Sequence, residues 1–145
     1  MGERWSLIEE RAEWRREPLV PDDEATWLSS GDVAVRQLEE RIASGHLETW
    51  LRSDNGRLLA ITTNTSRALV MLLRHGDDPG EHVVDLAADD IVNDGFALSN
   101  GQVDRHRDRD TVTLAEALAI VSHIVDTGTA PLTTTWCVDR DPAEG

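Results

Sequence analysis

The sequence predicts an α+β fold, with an antiparallel sheet of about six strands, N-terminal helices, and one C-terminal helix packed against the sheet. Three observations point there. The middle of the chain runs in short apolar, β-branched segments separated by turn signals at Asp54-Asn55-Gly56, Asp78-Pro79-Gly80 and Asn100-Gly101. Helical spacing of apolar residues is confined to the flanks. A capping box, Thr113-Leu114-Ala115-Glu116, opens a late helix after the strands.

In order along the chain, Trp5, Ile8 and Ala12 recur at helical spacing, so Glu3 to Glu17 reads as a short helix that Pro18 and Pro21 end. Asp22 to Leu28 reads as a further turn of helix. A clearer helix follows, with Asp32 as its N-cap, the stripe Val35, Leu38, Ile42, and Gly45 at its C-terminal cap. Glu48–Ser53 and Leu58–Thr63 read as a hairpin, because Asn-Gly suits the positive φ angles of a type I′ turn. After a turn at Thr65-Ser66, Arg67–His75 is a very apolar strand, and Gly76–Gly80 is a turn by composition. A short strand at His82–Leu86 and an acidic loop come next. Phe96–Ser99 and Gln102–His106 then pair across the second Asn-Gly turn. The capped helix buries Leu114, Ala117, Leu118, Val121, Ile124 and Val125, Gly128 ends it, and Pro131 blocks its continuation. Thr133–Val138, carrying Trp136, is the last strand. The expected organisation is an N-terminal helical extension over residues 1–30, a main domain over 31–138, and a polar, frayed tail over 139–145.

The 145 residues fit one domain large enough to bury a core without metal or disulfide staples. Twenty-eight acidic residues face 14 basic ones, all Arg, for a net charge of −14. Such a chain does not bind nucleic acid directly through phosphates, and an anionic membrane surface repels it. It attracts a basic partner. No apolar run approaches a membrane span, residues 1–17 do not read as a signal peptide, and the single Cys137 forms no internal disulfide, so a cytoplasmic location is expected.

No specific catalytic pattern is present, and no cofactor is implied: there is no Gly-rich phosphate loop, Cys pair, His-Glu-x-x-His or nucleophile elbow. His75, Asp77, Asp78 and His82 are the nearest approach to a metal set. Their spacing matches no standard metal loop, so they read as an acidic turn with solvated histidines and no metal site is expected. The run Asp104-Arg105-His106-Arg107-Asp108-Arg109-Asp110 reads as a self-compensating exposed strand end and loop. His123 reads as a residue at the core edge, and Cys137 as a packed small hydrophobe.

Charge distribution says more. Asp77, Asp78, Glu81, Asp85, Asp89, Asp90 and Asp94 put −7, half the net charge, into 18 residues without an Arg. Packed charge of one sign opposes a compact state, and a basic partner relieves it. With Asp104, these residues form the expected partner-binding surface. Of the five Trp residues, Trp14 lies off the Trp5–Ile8–Ala12 stripe and is the candidate aromatic anchor.

From Asp32 to Val138 the order of features resembles the Imm1 family of bacterial immunity proteins. The resemblance rests on Asp78-Pro79-Gly80, Ser99-Asn100-Gly101-Gln102-Val103-Asp104, Val112-Thr113-Leu114-Ala115-Glu116-Ala117, Thr127-Gly128-Thr129-Ala130-Pro131 and Trp136. Pro79, Gly80, Asn100, Gly101, Gln102, Gly128 and Trp136 would be its structural motif residues. The chain departs from the family at Val103, where an aromatic is common, and at Arg107-Asp108-Arg109, where a proline is common. The resemblance implies a non-enzymatic inhibitor of a cognate toxin domain, encoded next to it and acting on nucleic acid as a deaminase or nuclease. An acidic protein suits the basic groove such an enzyme needs. The alternatives are an adaptor or homo-oligomeric subunit, or a small metal-binding enzyme built on His75, Asp77, Asp78 and His82.

Overall fold

Leu58–Thr63 is buried at every position, as a strand covered on both faces must be, and it forms the centre of the sheet in a computed structural model that describes residues 3–8 and 27–140. In chain order the elements are β1 (Trp5–Ile8), β2 (Trp27–Leu28), α1 (Gly31–Ala43), β3 (Glu48–Ser53), β4 (Leu58–Thr63), β5 (Arg67–Leu73), β6 (Glu81–Val84), β7 (Val92–Ala97), β8 (Val103–Arg107), a 3-10 turn (Asp108–Asp110), β9 (Val112–Thr113), α2 (Leu114–Thr127) and β10 (Thr135–Val138). The main sheet has the order β10-β6-β5-β4-β3-β1-β2, antiparallel throughout, with β9 added beside β5. β7 and β8 form a separate hairpin. The class is α+β as expected, with more strands than six.

The two faces of the sheet follow from alternation along the strands. Leu59, Ile61, Ala68, Val70 and Val83 point to one face and pack with Leu38 of α1 and Val121 and Ile124 of α2. Leu58, Ala60 and Leu73 alternate to the other face, where β7 packs on β4 and Phe96 is fully buried. The helices approach closely at Gly31, whose N–H donates to Asp126 at 2.7 Å. A Cβ there would lie 2.3 Å from the Ser122 carbonyl oxygen.

Several local expectations change. Trp5–Ile8 is a strand, not a helix: it pairs in register with β3, from Trp5 opposite Ser53 to Ile8 opposite Trp50, and Trp5 is wholly buried. Four residues hold too few positions to separate the two periods, and sheet pairing decides between them. The rest of the expected first helix lies outside the described residues. Trp27–Leu28 is likewise strand, and residues 22–26 lie outside the described set. Ser30, not Asp32, caps α1, accepting from Val33 N at 3.2 Å, and Asp32 sits in the first turn, where the helix dipole favours an acid. The α1 stripe facing the core is Gly31, Ala34 and Leu38.

Both Asn-Gly turns form, but not as type I′. Only the glycines take positive φ, +87° at Gly56 and +92° at Gly101. Gly56 N donates to Ser53 O and Ser53 N to Arg57 O; Gly101 N donates to Leu98 O and Leu98 N to Gln102 O. This is the three-residue loop in which a turn precedes a left-handed residue. The capping box holds at its N-cap, with Glu116 N donating to Thr113 Oγ1 at 3.2 Å, and Gly128 ends α2 in the left-handed region. The tail differs as well: Arg140 is buried rather than frayed, and residues 141–145 lie outside the described set.

Candidate functional site

The acidic span does not present seven free charges. Asp78 is buried, and Arg140 donates to both its oxygens, at 2.9 and 2.8 Å. Its carboxylate also accepts from Arg74 N at 2.8 Å, so it closes the turn before Pro79-Gly80. The Arg140 hydrogen bonds hold this carboxyl well below the usual carboxylate range, against the burial that would raise it. Glu81 takes the other side of Arg140 at 3.1 Å. Asp85 lies 3.4 Å from Arg67, and Asp90 lies 3.7 and 3.5 Å from Arg107 and Arg109. Repulsion within the span is thus relieved by arginines brought in from elsewhere in the chain. Asp77, Asp89 and Asp94 are exposed and have no ion pair among the described residues. Asp104 accepts from Gln102 Nε2 at 2.6 Å within its own turn. Trp14 lies outside the described residues.

The alternating run after Asp104 is only partly self-compensating. Arg107 pairs with Asp110 at 2.8 Å. Asp108 instead faces Arg67, whose guanidinium also donates to the carbonyls of Asp108 and Thr111. His106 sits edge-on to Phe96, 4.8 Å between ring centres, and burial lowers its pKa.

Near this acidic surface a groove of about 480 Å³ opens between α2 and the β6–β10 side of the sheet. Val83, Val112 and Ile120 form its apolar floor, and Asp85, Glu116 and His123 stand at its lining with polar groups. Ala119 lines it from the exposed side of α2, and Leu86, also a lining residue, is 65% exposed. The volume suits a side-chain-sized anchor, and the carboxylates select against an acidic one. His123 is exposed beside the groove rather than packed at the core edge, because on α2 it lies off the buried face of Ala117, Ile120, Val121, Ile124 and Val125. Trp136 is half-buried against the core, and its indole N–H donates to Thr134 Oγ1 at 3.0 Å.

The residues nearest a metal pattern in the sequence, His75, Asp77, Asp78 and His82, go to separate partners. His75 is exposed and accepts from Asp77 N, and Asp78 is committed to Arg140. His82 instead joins residues far away in sequence: its Nδ1 is 2.8 Å from Asp139 and its Nε2 is 3.1 Å from Asp110. Burial alone would lower the His82 pKa, but these two carboxylates outweigh it and raise it. Cys137, directly opposite His82 in the β6–β10 register, is exposed rather than packed, because β10 is the edge strand with no neighbour on its far side among the described residues.

Among the described residues, no helix is long and apolar enough to cross a membrane. Compared with protein-family models, with curated proteins and with solved structures, the chain gives no match.

Proposed function

We propose that this chain is a stoichiometric inhibitor of the immunity type, which binds a cognate toxin domain acting on nucleic acid and occludes its active site or basic substrate surface. One observation carries the proposal: a groove with an apolar floor is lined by two carboxylates, the exposed Glu116 and the half-buried Asp85, in a chain of net charge −14. Tight binding needs a desolvated anchor, which the floor of Val83, Val112 and Ile120 can receive. Fast and selective encounter needs charge, which the exposed Glu116 and Asp89 supply toward a basic surface. The occupant this favours is a loop that carries an aliphatic or aromatic side chain flanked by Lys or Arg. The order of motifs shared with the Imm1 family supports the same reading.

The β10 edge favours a second reading, a homo-oligomeric adaptor. Among the described residues its outer hydrogen-bonding side has no partner strand, and Val138 on it is exposed. Co-expression separates the two. The C-terminal domain of the neighbouring gene's product is expressed in a heterologous bacterium with and without this chain. Killing alone, survival together and a co-purifying 1:1 complex support the inhibitor. A harmless neighbour, together with a self-associated form of this chain, supports the adaptor.

A further inference from the structure

We propose that His82, Cys137 and Asp139 form a zinc-binding site on the outer edge of the sheet, with Asp110 as the carboxylate that orients His82. The register places Cys137 directly opposite His82, so their side chains leave the sheet on one face, and Asp139, the residue after β10, reaches His82 Nδ1 at 2.8 Å. Their donor atoms, an imidazole nitrogen, a thiol sulfur and a carboxylate oxygen, lie within 4.8 Å of one another. Zinc bond lengths of about 2.0–2.3 Å place neighbouring ligand atoms of a tetrahedral site about 3.5 Å apart. Side-chain rotation closes that difference, since Cys137 on the edge strand and Asp139 just after it are exposed.

The two nitrogens of His82 divide the work. Nδ1 faces Asp139 and the thiol side of the cluster, whereas Nε2 faces Asp110 at 3.1 Å. An Nε2–H donated to Asp110 fixes the tautomer that leaves Nδ1 free for the ion, which is the carboxylate–histidine–metal arrangement of protein zinc sites. Arg107 in turn holds Asp110 at 2.8 Å. Nitrogen, thiolate and carboxylate donors together suit Zn²⁺ rather than Mg²⁺ or Ca²⁺, which take oxygen ligands. Three protein ligands leave the fourth position to water. On binding, the Cys137 thiol and any proton on His82 Nδ1 pass to solvent.

The test uses the full chain without a histidine tag, titrated with Co²⁺ and then with Zn²⁺. The expected result is one Co²⁺ per chain with tetrahedral visible bands and a thiolate-to-cobalt charge-transfer band, both removed by one equivalent of Zn²⁺. Cys137→Ser removes the charge-transfer band and leaves the metal-free melting temperature unchanged, since Cys137 is exposed. Asp110→Asn keeps the band and weakens binding by about 10–100-fold. Asp77→Asn, an exposed acid outside the site, changes nothing. Absence of a charge-transfer band, or equal affinity in wild type and Cys137→Ser, would overturn the proposal and identify the cluster as an ion-paired brace for β10.

Discussion

Asp78 and Arg140 stand 62 positions apart and form the most buried ion pair among the described residues. The pair lies just beneath the surface, so removing one partner strands a charge that water reaches only in part. Arg140→Ala is expected to lower unfolding free energy by about 2–3 kcal/mol in urea titrations. The pH dependence follows from the direction of the Asp78 shift. A carboxyl held below its ordinary value of 3.8 contributes stability that is complete above that value and is lost as pH falls below it. Urea midpoints measured at decreasing pH should therefore fall more steeply below about pH 4 in wild type than in Arg140→Ala; parallel curves would remove the pair from the stability of this fold. Thr65 is the one non-glycine residue at positive φ among the described residues, at +78°. A β-branched side chain there costs about 1–2 kcal/mol, partly offset by the entropy of glycine in the unfolded chain. Thr65→Gly is expected to stabilise the protein by about 0.5–1 kcal/mol, and a loss of stability would contradict this.

At the scale of elements, α1 and α2 meet at Gly31, with the Ser122 carbonyl where a Cβ would stand. Gly31→Ala must push the helices apart or break the bond to Asp126, and a loss of about 1–3 kcal/mol is expected in thermal or urea unfolding. An unchanged midpoint would show that the α1–α2 contact relaxes freely. The elements legible in the sequence are those with local determinants. The two glycines that close the hairpins, the Thr113 cap and the Gly128 stop each act within a few residues. What could not be read is what tertiary pairing decides. Trp5–Ile8 matches a helical stripe as well as a strand, and only β3 beside it selects the strand. The candidate site divides the same way. The acidic span is visible as composition, but the arginines that neutralise much of it, Arg67, Arg107, Arg109 and Arg140, arrive from other elements. The groove requires α2 and β6 together, and no short stretch of sequence carries it.

For the whole molecule, a net charge of −14 with part of the acidic span paired internally leaves a field that steers basic surfaces without an all-acidic contact face. In the proposed complex, association with a basic toxin domain should slow as salt rises through the screening range, while dissociation, set by the proposed anchor in the groove, changes little. The most direct measurement compares wild type with Ala119→Arg, which places a cation and bulk in the groove from an exposed position on α2. Each is co-expressed with the C-terminal domain of the neighbouring gene's product, the proposed toxin, and survival, complex formation and melting temperature are recorded. The expected result is protection and a 1:1 complex with wild type, and loss of both with Ala119→Arg at an unchanged melting temperature. Equal protection by both proteins would contradict the groove as the binding site. Killing that wild type does not relieve would contradict the inhibitor function itself.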